Sequence, residues 1–364
     1  MRKLESEMNI DWRPVMILAA AIAATGCQSI GAGSVQRDRM SYADALGTSW
    51  KEQTLLNIVK LRYLDTPVFL DVSSVIASYE LASEVNLTSN IFPGAPDSNN
   101  RSLGATGTYT DRPTISYTPI TGERYMNTLI RPISPQAIFA MIESGHRADL
   151  VLRVTARAIN GVYNYSASQT RTRTADPTFQ RVIDAIRDIQ QGGALSVRIE
   201  KRDEQESTYI GFLHSGDEDI EKSIRFVKDK LGINPSNDEP LLVFGSRQRN
   251  PDQIALLTRS VQEILTECSV GVEVPQRDLA EGRATPMLHL DPSPGSRSYP
   301  LMHIQSSSER PAEVFAAVPY RNRWFWIDDR DLDSKRMFMF LTVFSALAET
   351  GVAPQTPLIT IPAR

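Results

Sequence analysis

The chain has 364 residues, of which 39 are basic and 43 acidic, for a net charge of −4 with neutral histidines. The two signs are interspersed and form no basic stripe, which excludes nucleic acid as a partner and any charge-driven attachment to anionic head groups. Two cysteines cannot staple a chain of this length, so the fold is expected to rest on the core of one large domain or two ordinary ones.

Val15–Ala24 (VMILAAAIAA) is an unbroken apolar run preceded by Arg13 and, further back, by Arg2 and Lys3. This charged-then-apolar order is that of a secretory signal, and the run is far shorter than the roughly 20 residues that cross a bilayer. The small residues Ala24-Thr25-Gly26 lead directly into Cys27. The pattern resembles the bacterial lipobox. That resemblance implies a signal peptide over residues 1–26, cleavage before Cys27 and a diacylglycerol on the Cys27 sulfur. Ala24 stands where the lipobox has Leu, and Glu5, Glu7 and Asp11 depart from a basic leader; a start at Met8 would remove two of those acids. The alternative is an ordinary cleaved signal with a cysteine nearby. Gln28 rather than Asp follows the cysteine, which favours the outer membrane over the inner one.

Residues 27–40 are small and polar and read as a flexible tether. Ser41 suits an N-cap for a helix through about Tyr63, with Trp50, Leu55, Ile58, Val59 and Arg62 near helical spacing and Asp65-Thr66-Pro67 as its stop. The period then changes to two, over Val75–Ile91 and again over Leu103–Tyr117, around the turn-rich PGAPDSNN. The pair predicts one long β-hairpin over residues 75–118. It could lie on the body of the domain, one face dry and one wet. It could also be one hairpin of an oligomeric barrel, since each run exceeds the 9–11 residues that cross a membrane, although Asp111 and Pro113 fall on the apolar face.

A helix-like stretch from Glu123 follows, then a helix opened by Ser134-Pro135 and closed by Gly145, and a strand LVLRVTARA ending at Asn160-Gly161. The polar residues 166–178 are expected as an exposed loop or a boundary between a region 41–165 and a region 179–364. Beyond them the pattern predicts a helix near Phe179–Gln190 and strands near Leu195–Glu200 and Thr208–Leu213. A helix with a Ser215/Glu218 capping box should end at Gly232. Next come a strand LLVFG and a helix QIALLTRSVQEILTEC opened by Asn250-Pro251-Asp252 and closed by Cys268, expected as a buried apolar residue. A Gly/Pro/Ser-rich passage precedes strands YPLMHIQ and AEVFAAVPY, a tight turn at Arg321-Asn322, a strand RWFWI, a buried helix RMFMFLTVFSALAE and a last strand PLITI. Without a strict βαβ rhythm the class is α+β, mixed sheets with packed helices and the long N-terminal hairpin.

No motif for a metal, phosphate or nucleophile is present. His146, His214, His289 and His303 have no metal-ligand spacing, and Gly104 and Gly107 lie in a hairpin strand where they cannot cradle phosphate. Asp328, Asp329, Asp331 and Asp333 start like a calcium loop but meet Ser334 where it needs Gly and Phe340 where it needs Glu, so they are read as helix-capping acids. Trp324 and Trp326 share one face of their strand, and Phe325 and Ile327 the other. This describes either a strand buried on both sides or an aromatic ledge for sugar or peptide. The sequence thus gives no catalytic residue, metal or cofactor, and one attachment residue, Cys27.

The stretches SWKEQTLLNIVKLRYLDTPVFLDVSSVI (49–76), RPTISYTPITGERY (112–125) and YRNRWFWIDDRDL (320–332) resemble a family of uncharacterised bacterial lipoproteins. The resemblance covers most of the chain and implies a cell-envelope location; it carries no reaction. The expectation is a non-enzymatic structural or assembly component facing the periplasm from the outer membrane, with itself or another envelope protein as partner. Two alternatives remain open: an oligomeric secretion or pore component inserting hairpin 75–118, and a hydrolase using His289, Asp291 or His303.

Overall fold

Helix α1 (Val35–Arg62) opens the computed structural model, which describes residues 35–76, 79–90, 100–111, 114–168, 171–173, 175–202, 205–284 and 300–348. The described residues fall into two units: one takes those up to Ser49 and within Val72–Tyr117, the other takes Trp50–Asp71 and those from Thr118 on. Because α1 begins at Val35, Ser41 lies inside the helix rather than at its cap, and residues 35–40 are helical rather than tether.

The expected hairpin is present, as four strands rather than two. β1 (Leu70–Ile76) pairs with β4 (Thr114–Pro119), and between them β2 (Tyr79–Asn90) pairs with β3 (Asn100–Asp111). The β2–β3 register is unbroken from Tyr79 opposite Asp111 to Asn90 opposite Asn100. It puts Glu84 with Thr106, Asn86 with Gly104 and Ala82 with Thr108 on one face, where Glu84, Asn86, Thr88, Thr106 and Thr108 are exposed. Leu81, Val85 and Leu87 register with Tyr109, Ala105 and Leu103 on the other.

The second unit begins its helices with α2 (Gly122–Tyr125), which runs on as a π-helical turn over Met126–Ile130, and α3 (Pro135–Glu143). Ser134 caps α3 through the Ala137 N–H (3.1 Å), as its Ser-Pro start implies. α4 (Ala148–Thr155) replaces most of the expected strand LVLRVTARA; only β5 (Ala156–Ile159) is extended. Leu150, Val151, Leu152 and Val154 are all buried, and a short run buried all round has no period to separate helix from strand. Asn160 and Gly161, both at positive φ (46° and 84°), turn the chain into β6 (Val162–Tyr163). Within 166–178, β7 (Ser166–Ser168) pairs with β8 (Arg171–Arg173), and Asp176 caps α5 (Pro177–Gln191). The described residues among 166–178 fall within the second unit.

β9 (Leu195–Arg202) and β10 (Gln205–Phe212) lead to α6 (Glu218–Leu231). The cap of α6 is Asp217, which accepts from the Asp219 and Ile220 N–H groups, rather than the expected Ser215/Glu218 box; Gly232 at φ 62° ends it as expected. After β11 (Leu241–Phe244) the expected helix from Gln253 is instead β12 (Gln253–Thr258) followed by α7 (Val261–Ser269). The capping box sits at Ser260 and Glu263, and QIALLT is drawn into the sheet because β5 and β11 pair with it on both sides. The six strands order as β6-β5-β12-β11-β10-β9, with β11 and β12 the parallel pair. Only the loop Gly245–Asp252 joins those two, much shorter than the helical crossover usual between parallel neighbours.

One face of this sheet carries Ile159, Leu195, Ile210, Phe212, Ile254 and Leu256. Phe139 of α3, Ile186 of α5 and Val227 and Leu231 of α6 close on them around a void of about 10 Å³, too small for more than one water. Each such side chain contributes about 1.5–3 kcal/mol on burial, and they make up the centre of the core. α8 (Gln276–Ala280) follows; then β13 (Gln305–Ser307), β14 (Val314–Tyr320) and β15 (Arg323–Asp328) make a second sheet ordered β13-β15-β14. Among the described residues of YPLMHIQ only Gln305 enters a strand, and Ile304 bridges to Val272. The Arg321-Asn322 turn has φ values of 49° and 61°, as a two-residue hairpin requires. Phe325 and Ile327 are fully buried, whereas Trp324 and Trp326 are half-buried, with the Arg310 guanidinium 5.3 Å over Trp324. α9 (Leu332–Ala348) buries Phe338, Leu341 and Phe344 and leaves Met339 exposed. Strand PLITI lies outside the described residues.

The class is α+β, as the sequence implies. Among the described residues no helix is long and apolar enough to cross a membrane.

Candidate functional site

Residues of the stretches 49–76, 112–125 and 320–332 meet at the second half of α1. Helix α1 ends with Leu64 in the left-handed region (φ 60°), and Asp65 turns the chain by accepting the Thr66 N–H (3.0 Å). Proline at 67 prevents the helix from continuing. The chain then returns along α1 as an extended segment. Asn57, 1 % exposed, donates to the Val68 carbonyl (2.8 Å) and accepts the Val68 N–H (2.9 Å). One turn earlier, with its amide oriented to satisfy both groups, Gln53 donates to Leu70 O (3.1 Å) and accepts Leu70 N (3.2 Å). Residues four apart on a helix lie in line, and residues two apart on a strand share an edge. Two amide side chains on α1 therefore act as the neighbouring strand for Val68 and Leu70. From the other side the Ile120 N–H donates to Phe69 O (3.0 Å).

Around this segment is a cavity of about 120 Å³. Trp50, Phe69, Leu265 and Leu341 supply apolar wall, and Thr54, Thr128 and Ser345 supply hydroxyls. Asp71, also in its lining, is ion-paired to Arg124 at 2.5 Å, and both side chains are half-exposed. The Trp50 ring meets Phe338 of α9 edge-on at 6.2 Å.

At the C-terminal end of α1 the first and third stretches meet. The Tyr63 hydroxyl donates to Asp278 of α8 (2.7 Å), and the Tyr320 hydroxyl donates to Asp65 (2.7 Å). The two rings pack edge-on at 5.3 Å. Arg321 donates through Nε to the Tyr320 oxygen (3.2 Å) and lies 5.1 Å over the Tyr63 ring. Burial and then the Asp278 hydrogen bond hold the Tyr63 phenol well above its ordinary range. Burial raises Tyr320 likewise, and the hydrogen bond from Tyr320 holds the Asp65 carboxyl below its own. The arrangement ties α1, α8 and the β14–β15 turn together and contains no base beside a nucleophile.

A third polar centre is buried. Arg259 and Glu267 are 1 % and 3 % exposed, 3.7 Å apart. The Arg259 guanidinium donates to the carbonyls of Arg153 (3.1 Å), Val154 (2.8 Å) and Tyr165. These carbonyls belong to the α4–β5 junction and the β6–β7 link, so the arginine acts as a bolt through the unit. Nothing in the sequence marked Arg259, which sits in what reads as a helix; Asn57 and Gln53 carried the better signal, two amides four apart on a helix.

The residues named from sequence that the structure describes are dispersed. Cys27, His289 and Asp291 lie outside the described residues. His303 is exposed and its backbone N–H donates to Ser334 Oγ (2.8 Å). His146 contacts the Met141 carbonyl (3.2 Å) and the Phe340 ring. His214 sits between Glu221 (3.1 Å) and Asp238 (3.5 Å), and the Glu221 hydrogen bond raises its pKa. The acid cluster does cap and brace α9. Asp331 accepts the Ser334 N–H (3.0 Å), Asp329 pairs with Lys335 and Asp333 with Arg336, while Arg330 draws Asp328 down to about 2. Cys268 is fully buried and desolvation pushes its thiol up, as fits an inert apolar residue. Among the described residues no group of three His, Cys, Asp or Glu side chains could hold a metal ion. Comparison with protein-family models, curated proteins and solved structures finds no match to this chain.

Proposed function

We propose that this chain is a lipid-anchored protein of the bacterial cell envelope. It is attached to the outer membrane through diacylglycerol on Cys27, faces the periplasm and serves as a non-enzymatic assembly component. The observation that carries this reading is the leader: an apolar run too short to span, closed by Ala24-Thr25-Gly26 directly before Cys27. The three family-like stretches support the same location. The ribbon β2–β3 supports an assembly role, because a two-stranded ribbon has two edges whose N–H and C=O groups can add a strand from a second copy or another envelope protein.

The second reading is an oligomeric pore component, favoured by one observation. β2 and β3 are each 12 residues long, paired throughout, and alternate polar with apolar faces. That length exceeds what a tilted membrane strand needs.

Both readings are tested with Cys27→Ala beside the native protein in a bacterial host. Intact mass and the membrane fraction after a carbonate wash are the readouts. The anchor reading expects a native chain that starts at Cys27 with a lipid-sized increment, and a variant that washes off. A variant that stays in the membrane overturns the lipid as sole anchor and favours the ribbon.

A further inference from the structure

The cavity beside α1 has a chemical character that its place in the core does not require. Its apolar wall, Trp50, Phe69, Leu265 and Leu341, is interrupted by three hydroxyl side chains, Thr54, Thr128 and Ser345, from three different helices. None of the three has a hydrogen-bond partner for its hydroxyl among the described residues. Thr128 is 6 % exposed as a residue, and Thr54 and Ser345 are half-buried. The buried side-chain atoms without a partner lie elsewhere, so these three hydroxyls open onto the cavity rather than being sealed from water. An apolar wall with a few convergent polar groups is the make-up of a small-molecule site, and the hydroxyls suit an occupant with a hydrogen-bonding group.

Charge narrows the class. The one ionised group in the lining, Asp71, is already taken by Arg124 at 2.5 Å. An ionic guest would shed its hydration with no counter-charge available. Size narrows it further: an apolar cavity of about 150 Å³ admits benzene, so 120 Å³ suits a ring or branched body of about six heavy atoms.

We propose that this cavity is a binding site for a small uncharged amphiphile: a cyclic or branched alcohol whose apolar body rests on Trp50, Leu265 and Leu341 and whose hydroxyl bonds to Thr128. The site is independent of the Cys27 anchor.

The test uses cyclopentanol and glycerol, which have equal numbers of heavy atoms, and follows the methyl resonances of Leu265 and Leu341 by NMR. Saturable methyl shifts with cyclopentanol, but not with glycerol, are expected. Thr128→Val keeps the shape and removes the hydroxyl, and should weaken cyclopentanol about fivefold, the value of one hydrogen bond. Leu265→Phe fills the space and should abolish binding. If cyclopentanol moves neither methyl, the cavity holds water only and the proposal fails. It also fails if glycerol gives the same shifts, or if Thr128→Val binds as tightly as the native chain. Should Leu265→Phe not fold, the glycerol comparison and Thr128→Val still decide.

Discussion

Asn57 and Val68 are joined by two hydrogen bonds, the side-chain amide giving one to the Val68 carbonyl and taking one from its N–H. This is the pairing of two strands, with one strand replaced by a helix side chain. Asn57→Leu keeps volume and removes both bonds, and Asn57→Ala adds a cavity in the unit's core. Each net bond is about 0.5–1.5 kcal/mol, so Asn57→Leu should cost about 1–3 kcal/mol and Asn57→Ala more. Urea unfolding measures the loss. Exchange of the Val68 amide, already near the surface, should quicken in both variants while that of Leu70, held by Gln53, changes less. Equal exchange at Val68 would show that the amide does not hold the segment.

Arg259 should be the most sensitive polar position of the larger unit. Its guanidinium spans carbonyls of three residues and faces Glu267, and both charges are buried. Arg259→Met removes one charge and leaves Glu267 without it, which for buried pairs costs about 3–5 kcal/mol. Arg259→Lys keeps the charge but cannot reach the carbonyls at once, and should lose nearly as much. Arg259→Met with Glu267→Gln should recover part of the stability, and a double-mutant cycle in urea measures it. Additive losses would mean that the two residues are not coupled.

The same arginine shows where sequence reading stops. Helices with a cap and a terminator were legible: Ser134-Pro135 and Gly232 stand where the pattern puts them. So was the Arg321-Asn322 turn, because only a few residues accept its φ values. The QIALLT segment was not, since its apolar residues fit a helix face as well as a central strand, and pairing with β5 and β11 decided between them. The Ser260 capping box lay in plain view inside the supposed helix and should have ended the strand before it. The cavity hydroxyls were illegible for a different reason. Thr54, Thr128 and Ser345 lie far apart in the chain, and only the fold brings them to one surface.

The Tyr63 and Tyr320 hydroxyls should make the unit alkali-sensitive. Both phenols titrate higher in the fold than in the open chain, where they ionise near pH 10. A raised pKa contributes stability that is complete below about pH 10 and is lost as pH rises toward the folded value. Asp65 works the other way, its contribution being lost in acid as pH falls through its depressed pKa. Absorbance at 295 nm should therefore show two tyrosines that ionise above the ordinary phenol range. Tyr63→Phe should be somewhat less stable at pH 7, having lost the Asp278 bond, yet show a shallower decline above pH 10. An unchanged alkaline slope would remove Tyr63 from the account.

Gly271 and Gly216 distinguish two reasons for glycine, and mutation should separate them. Gly216 has φ +72° and open space around it, so Gly216→Ala faces only the strain of a left-handed residue, about 1–2 kcal/mol. At Gly271 a Cβ would lie 1.7 Å from the Met302 carbonyl oxygen and 2.8 Å from its carbon. Backbone cannot swing aside as a side chain can. Here two segments of the chain are laced: the Ile304 N–H donates to Gly271 O (2.9 Å), and the Glu273 N–H donates to Ile304 O (2.8 Å). Gly271→Ala must push the 300–304 segment away, which threatens both bonds and the burial of Val272 and Ile304, each fully inside the core. The expected loss exceeds about 3 kcal/mol, the upper end for overpacking, with faster exchange at the Ile304 and Glu273 amides. Comparable destabilisation at the two glycines in thermal melts would mean that the 300–304 segment yields easily, and that the lacing contributes little to the unit.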